Sequence, residues 1–238
     1  MIKKLSILIP LFNEEKTVEA LVKKVLAVKF PCDHEIVIVN DGSTDQSDKI
    51  ALRLVRGNKT LKYFKHSKNQ GKGAAIRTAL SEAKGDYAVI QDADLEYDPG
   101  DIVKLLERAS RFPSKVIYGS RLTAPPVLFG RDRTPLLIHY FGNRFLSFIT
   151  SLLFQHWVTD METCYKLFPV SALKDVKLNA RGFELEPELT AKFLKRGWKI
   201  LEVPITTKPR GYQEGKKIRA FRDGYKALLA LLKYRFTD

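Results

Sequence analysis

Short apolar runs alternate with stretches of helical periodicity over the first half of the chain. The runs are rich in Val, Ile and Leu and are bounded by turn residues, which is typical of buried strands. They predict strands over 5–11, 34–40, 61–66, 87–91 and 115–121. The stretches between them predict helices over 13–28, 43–57, 73–85 and 98–110. Strands separated by helices of this length predict an α/β fold, with a mostly parallel central sheet flanked by helices.

The pattern changes after residue 121. A basic loop rich in Pro and Gly, over 123–135, precedes an apolar helical stretch over about 136–156. A helix near 186–196, a strand over 199–205 and a final helix over 223–236 follow. The second half therefore lacks the regular strand and helix alternation of the first.

The 238 residues contain no internal repeat and no low-complexity linker, so we expect a single domain over 1–238. It divides into a half over 1–121 and a half over 122–238, which carries the basic loop and the C-terminal helix. Two cysteines, Cys32 and Cys164, form no disulfide framework and favour a reducing cytoplasm. Because no apolar run reaches about 18 residues, we expect no transmembrane helix.

Each predicted strand of the first half ends in polar residues. The segments are PLFNEE, NDGSTD, HSKNQGKG, QDADLE and GSR. In open parallel sheets, ligands bind beyond the carboxyl ends of the strands. We therefore expect a single site to collect these five segments.

Three acidic residues crowd the end of the fourth strand: Asp92, Asp94 and Glu96. Residues two apart in an extended segment face the same side, so these carboxylates repel one another unless a cation holds them. Oxygen ligands of this kind suit Mg²⁺ or Mn²⁺. The alternative is that these acids cap a helix and carry solvated loop charge.

The chain is strongly basic, with 41 Lys and Arg against 27 Asp and Glu and a net charge of +14. That excess implies an anionic partner, which can be nucleic acid, an anionic membrane surface or a phosphorylated substrate. Nucleic acid is disfavoured, because the basic residues are not interleaved with aromatic residues on a recognisable module. The acids at the strand ends would also repel phosphates in the absence of a metal.

The ordered motifs ILIPLFNEE, IVIVNDGSTD, HSKNQGKGAAIRTAL, VIQDADLE and YGSR resemble those of family-2 glycosyltransferases. The resemblance covers about residues 5 to 219 and is strongest to the polyprenyl-phosphate sugar synthases of the dolichyl-phosphate mannose and glucose synthase type. It implies the GT-A fold, which is that of nucleotide-diphospho-sugar transferases. It also implies a metal-dependent, inverting hexosyltransferase that uses UDP-glucose or GDP-mannose and a polyprenyl or dolichyl phosphate acceptor. Such an enzyme would be cytoplasmic and peripheral on a membrane.

The resemblance also implies roles for individual residues. The half over 1–121 would bind the nucleotide sugar, and Asp94 and Glu96 would hold Mg²⁺ or Mn²⁺ on its diphosphate. The residues assigned to the donor are Pro10, Phe12, Glu14, Asp41, Lys72, Asp92 and Arg121.

The acceptor half over 122–238 would supply the remaining catalytic groups beside Asp92 and Asp94. A phosphate acceptor is already ionised and needs cations to position it more than a base. The segment 208–222 holds six basic residues against one acid, Glu214. The resemblance matches Arg210 and Lys217 to residues that clamp the donor diphosphate and the acceptor phosphate.

Two alternatives stay open. Asp160, with Glu162 as the second choice, would orient the acceptor or act as a base if the acceptor is a hydroxyl group. The apolar segment over 136–154 would either lie in a membrane interface or pack as a buried helix over the sheet.

Overall fold

A computed structural model describes residues 2–123, 125–126, 137–210 and 220–237. The strands are β1 (Lys4–Leu11), β2 (Asp33–Asn40), β3 (Leu61–Lys65), β4 (Tyr87–Ile90), β5 (Lys115–Ser120), β6 (Lys166–Pro169) and β7 (Lys199–Pro204). The helices are α1 (Val18–Ala27), α2 (Ser47–Val55), α3 (Lys72–Glu82), α4 (Asp101–Arg111), α5 (Leu137–Phe154), α6 (Leu185–Lys195) and α7 (Ala220–Phe236). Lys217 and most of the basic loop over 123–135 lie outside the described residues.

Seven strands form one sheet in the order β3-β2-β1-β4-β6-β5-β7. The pairs β1 with β2, β1 with β4, β2 with β3 and β5 with β7 are parallel. The sheet confirms the predicted α/β class with a mostly parallel sheet. The exception is β6, which runs antiparallel to β4 and to β5.

The antiparallel strand β6 decides where the site can form. Because β6 is antiparallel to its neighbours, it begins at the edge of the sheet where β1, β2, β4 and β5 end. The residues just before β6 therefore join the residues that follow the other strands. No strand was predicted there, because β6 has four residues and opens with a lysine, which gives no apolar alternation to detect.

Two predicted helices begin later than their patterns indicate. The predicted helix over 13–28 begins at Val18 and the one over 43–57 begins at Ser47. The loop before α1 is hydrogen-bonded to the residues at and before the start of α2. Ser43 Oγ accepts from Asn13 N at 3.0 Å, and Ser47 Oγ accepts from Glu14 N at 2.9 Å. These contacts fix the loops after β1 and β2 side by side.

The start of α3 packs directly on another backbone segment. A Cβ atom built on Gly73 would lie 2.2 Å from the Ala180 carbonyl oxygen, and one on Gly71 would lie 2.1 Å from that of Arg181. Gly71 also has a φ of +96°, a conformation that other residues rarely adopt. The glycines therefore let the segment before α6 approach the start of α3.

We expect Gly73→Ala to lower the free energy of unfolding by about 2 kcal/mol, because the added methyl group would overlap a backbone carbonyl that cannot move away freely. Urea denaturation measures the change. The control is Gly142→Ala in α5, where the new Cβ meets nothing within 4 Å; there we expect a gain of up to about 1 kcal/mol. Equal effects of the two substitutions would contradict this packing.

Candidate active site

A cavity of about 410 Å³ lies where β1, β2, β4 and β5 end. It collects residues from all five polar segments that follow the predicted strands. Its lining includes ten residues assigned from the sequence: Pro10, Phe12, Glu14, Asp41, Lys72, Asp92, Asp94, Glu96, Arg121 and Arg210. Asp160 is not among the lining residues, and Lys217 lies outside the part of the chain that the structure describes.

The buried carboxylate of Asp41 organises the glycine-containing loop before α3. Its Oδ1 atom lies 2.6 Å from His66 Nδ1 and accepts from Gln70 N at 3.0 Å, while Oδ2 accepts from Gly71 N at 2.7 Å. Asp41 therefore fixes the loop that forms one wall of the cavity. The His66 ring is held on its other side by Thr78, whose Oγ1 lies 2.9 Å from Nε2.

A chain of buried ion pairs crosses the floor of the cavity. Lys72 Nζ lies 2.8 Å from Asp92 Oδ1 and 3.1 Å from Glu186 Oε1, and Lys166 Nζ lies 2.6 Å from Glu186 Oε2. Burial opposes charge on Lys72 and on Asp92, but each charge stabilises the other. As a result the pKa of Lys72 is raised well above its ordinary value and the pKa of Asp92 is lowered. Both groups are held in their charged forms.

Arg210 lies among three acids at the end of β4 and β1. Its Nη2 atom lies 3.0 Å from Glu14 Oε1 and 3.2 Å from Asp94 Oδ2, and its Nε atom lies 3.8 Å from Glu96 Oε1. The backbone N–H of Arg210 also donates to Glu96 Oε1 at 3.1 Å. Burial, and then repulsion by Asp92 and Glu96, raise the pKa of Asp94 to about 6. Among the described residues, the Arg210 guanidinium thus holds this acidic cluster together.

The carboxylates of Asp94 and Glu96 fit a hard divalent cation whose coordination a substrate would complete. Mg²⁺ commonly takes one or two carboxylates and fills its remaining positions with water and substrate phosphates. Within the described ranges, no group of three or more Asp, Glu, His or Cys side chains is arranged to hold a metal alone. Burial first, and then the neighbouring acids Asp92 and Glu96, raise the pKa of Asp94, and a divalent cation would favour its ionised form.

Asp160 lies behind Arg121. It is fully buried, and its oxygens accept from Arg121 Nε at 2.7 Å, Arg121 Nη2 at 2.8 Å and Arg121 N at 2.9 Å. Its own backbone N–H donates to Glu202 Oε1 at 3.0 Å. With both carboxylate oxygens engaged, Asp160 positions Arg121 at the cavity instead of facing the cavity itself.

Glu162 occupies the position at the cavity that Asp160 was expected to fill. The chain turns between the two residues, so only Glu162 reaches the lining. Burial, and then repulsion by Glu186, raise the pKa of Glu162 to about 7. The turn leaves no periodic signal in the sequence, so Glu162 was predicted only as the second choice. Glu186 and Cys164 also line the cavity and were not predicted to do so.

The comparisons with known proteins agree with this geometry. Residues 6–177 match the family model described as glycosyl transferase family 2. A UDP-N-acetylglucosamine–dolichyl-phosphate N-acetylglucosaminyltransferase of Methanococcus voltae is 32% identical over 222 residues. The match covers 86% of this chain and 86% of the relative. A dodecaprenyl-phosphate galacturonate synthase of Rhizobium johnstonii is 28% identical over 98% of this chain and 66% of the relative.

Solved structures confirm the fold. Glucosyl-3-phosphoglycerate synthase of Mycobacterium tuberculosis, in complex with Mn²⁺, UDP and glucosyl-3-phosphoglycerate, has a TM-score of 0.73 at 16% identity, over 99% of this chain and 81% of that chain. Its complex with Mg²⁺ and UDP has a TM-score of 0.71 at 18% identity, over 99% and 80% of the two chains. The architecture is thus shared with enzymes of low sequence identity.

We expect Asp160→Asn to lower the free energy of unfolding by about 3 kcal/mol, because it leaves the Arg121 guanidinium without its charged partner. Thermal and urea denaturation measure the loss. The control is Asp33→Asn, which alters an exposed carboxylate at the start of β2 and should change stability by less than about 0.5 kcal/mol. An Asp160→Asn protein as stable as the wild type would contradict the buried pair.

Proposed function

The chain belongs to glycosyl transferase family 2, and on that basis we propose that it is a metal-dependent, inverting enzyme that moves a hexose from a nucleotide sugar, such as UDP-glucose or GDP-mannose, to a polyprenyl or dolichyl phosphate. The observation that carries the proposal is the cavity at the strand ends, where Asp94, Glu96 and Arg210 lie together. The names of the Methanococcus and Rhizobium relatives, both of which specify a polyprenyl-type phosphate, support the acceptor class.

The donor would lie across the ends of β2, β1 and β4 in that order. Phe12 would stack on the base or ribose, and Glu14 would accept from ribose hydroxyls. Asp94 and Glu96 would hold Mg²⁺ or Mn²⁺, which when bound would neutralise charge on the departing nucleoside diphosphate. Mn²⁺ or Mg²⁺ with UDP occurs in the structurally similar synthase of Mycobacterium tuberculosis.

Arg210 is suited to positioning phosphates, because its fork of donors matches two oxygens at once. Those donors engage Glu14, Asp94 and Glu96. With a divalent cation held by Asp94 and Glu96, the Arg210 guanidinium would be able to pair with the diphosphate or the acceptor phosphate. Lys217, outside the described residues, is proposed to act beside it, and Arg121 is proposed to contact the donor while Asp160 holds it in place.

Inversion needs one in-line displacement and no enzyme nucleophile. A phosphate acceptor needs no base at neutral pH, which agrees with the burial of Asp160 behind Arg121. Residues 1–121 are therefore proposed to bind the donor, and residues 122–238 to receive the acceptor, within one domain.

Two helices expose apolar stripes that fit a membrane surface. On α5, Ile138, Phe141, Phe145, Phe148 and Leu152 are each at least half exposed and follow a spacing of three and four residues. On α7, which packs against α5, the exposed stripe is Tyr225, Leu229, Leu232 and Phe236. We call these nine residues the apolar face. The opposite side of α5 buries Leu146, Ser147 and Thr150, so this helix both covers the core and exposes an apolar surface.

The charges around the apolar face favour anionic lipid as its occupant. The sequence of α5 contains no acidic residue. The acid of α7, Asp223, is buried and paired with Arg222 at 3.0 Å, whereas Lys226, Lys233 and Arg235 are exposed. Apolar side chains flanked by cations bind interfaces of anionic bilayers. In the described residues, no helix combines the length and hydropathy needed to cross a bilayer.

Transfer of labelled sugar to a short-chain polyprenyl phosphate tests the activity. We expect EDTA, and separately Asp94→Asn, to lower the rate at least about a hundredfold, because several kcal/mol of charge stabilisation are lost. The control is Asp98→Asn, which alters a carboxylate in the same segment whose Oδ1 accepts from Gly100 N and which does not line the cavity. Undiminished turnover by metal-free protein would refute the proposal. Transfer to the matching polyprenol instead of its phosphate would indicate a hydroxyl acceptor.

Sedimentation with vesicles tests the apolar face. We expect the double variant Phe145→Glu with Phe148→Glu to bind vesicles of phosphatidylglycerol and phosphatidylcholine at least about tenfold more weakly, since charged groups replace apolar area in the interface. The control, Ser81→Glu with Ser110→Glu, makes the same charge change at exposed sites elsewhere. If both double variants lose binding equally, net charge and not the apolar face holds the protein on the membrane. A wild-type dimer in solution that the Phe variants dissociate would assign the face to a second copy of the chain.

A further inference from the structure

Glu162 is a carboxyl group at the cavity for which the mechanism proposed above has no use. It lies in the turn before β6, and its Oε1 atom is buried without a hydrogen-bond partner among the described residues. A buried polar atom without a partner is costly, and native proteins rarely retain one unless a ligand or water satisfies it. A ligand in the cavity could therefore supply the hydrogen-bond partner of Glu162.

The ion pairs around Glu162 leave it as the surplus acid. Three cations that line this part of the cavity or lie next to its lining residues each have an acidic partner: Lys72 with Asp92, Lys166 with Glu186, and Arg121 with Asp160. Glu162 is the fourth acid beside these three pairs, and no ion pair engages it within the described ranges. An additional anion entering here would lie against the Glu162 carboxyl group, and the three cations would already be paired with other acids.

The position of Glu162 in the sheet places it beyond the diphosphate. Reading across the sheet, the lining residues follow β2 (Asp41), β1 (Phe12) and β4 (Asp94) and then precede β6 (Glu162). In a nucleotide sugar the base, ribose, diphosphate and sugar are linked in that order, so the diphosphate lies between the nucleoside and the sugar. With the base over β2 and β1 and the diphosphate at β4, the sugar reaches the part of the cavity that Glu162 lines.

We propose that Glu162 contacts the transferred sugar and is a specificity-determining residue that restricts the donor to nucleotide sugars whose sugar is uncharged. This inference rests on the function proposed above. A hydroxyl or acetamido group of a neutral sugar can pair with a carboxyl group in either protonation state. A uronic acid would instead bring a second carboxylate against Glu162. The chain would thereby differ in donor class from its relative named for galacturonate.

The titration of Glu162 supports this role. Burial, and then Glu186, raise the pKa of Glu162 to about 7, against the opposing effects of Lys166 and Arg121, and Asp160 adds to the rise. Below that pKa the group is neutral and can donate as well as accept. Above it the group is charged, so rejection of a uronate donor strengthens as the pH rises.

The test compares donors that differ only at C6: UDP-glucose with UDP-glucuronate, and GDP-mannose with GDP-mannuronate. For the base that the wild type uses, we expect kcat/KM to favour the neutral sugar by about a hundredfold or more, the size expected for two like charges a few ångströms apart near a protein surface. In Glu162→Gln, kcat/KM for the uronate should rise at least tenfold and the ratio should fall with it. The control is Glu82→Gln, an exposed acid on α3, which should leave the ratio unchanged.

An equal loss with both donors in Glu162→Gln would indicate a general base and overturn the inference. A wild type that uses both donors equally would overturn it as well. Calorimetric titration of the wild type with UDP and GDP in the presence of Mn²⁺ separates these outcomes from failure of the proposed function, which predicts that one of the nucleotides binds.

A measurement on the wild type alone keeps the inference testable if the variant does not fold. The ratio of kcat/KM for the neutral donor to that for the uronate should rise at least several-fold between pH 6 and pH 8. Both donors carry the same diphosphate, so its titration cancels from the ratio. A ratio that stays constant over this range would overturn the inference.

Discussion

The structure depends on how acids are held at the sheet edge where the parallel strands end. Seven acidic residues line one cavity: Glu14, Asp41, Asp92, Asp94, Glu96, Glu162 and Glu186. Only Lys72, Arg121 and Arg210 oppose them among the described lining residues. Each of these cations comes from a different part of the chain. Arg210 ties the loop after β7 to the end of β1, across 196 positions of sequence. The ion pairs that partly neutralise the site therefore also hold the two halves of the chain together.

The same charge balance constrains how a substrate enters. A nucleoside diphosphate is itself anionic and would be repelled by an acid-rich cavity unless a cation accompanied it. On the proposed function, two carboxylates at the end of β4 would hold the metal, and phosphate oxygens of the donor would supply further ligands. Metal and nucleotide would then bind together. Arg210 could exchange Asp94 and Glu96 for phosphate oxygens, because the metal would balance the charge of those two acids.

The sequence predicted the first half of the fold well, because β1, β2, β4 and β5 contain apolar runs that turn residues delimit. The same runs explain why the residues at their ends were found, since every parallel strand delivers its next residues to one edge. The prediction was poorer where the signal is not periodic. Strand β6 has four residues and a buried lysine at its start, and its antiparallel direction follows from its neighbours and not from its own sequence.

The candidate site shows the same division. Asp92 and Asp94 could be placed at the site from their position after an apolar strand, whereas Asp160 was ranked before Glu162 although no periodic pattern distinguishes the two. They lie two positions apart, and a turn sends one behind Arg121 and the other to the cavity. Glu186 was missed because it lies within α6 among other acids, where a solvated helix face is the ordinary interpretation. Its role depends on Lys72 and Lys166, which reach it from α3 and β6.

The net charge of +14 must act somewhere other than in the described cavity, where acids outnumber cations. The basic excess lies on the surface, where Lys226, Lys233 and Arg235 accompany exposed apolar residues of α7. Charge on a surface acts over a distance of about 8 Å at physiological ionic strength and does not discriminate between anions. Paired charges inside a cavity act at contact distance and do discriminate. The chain thus separates the charges suited to attracting an anionic surface from those suited to selecting a ligand, and the fold keeps the two sets apart.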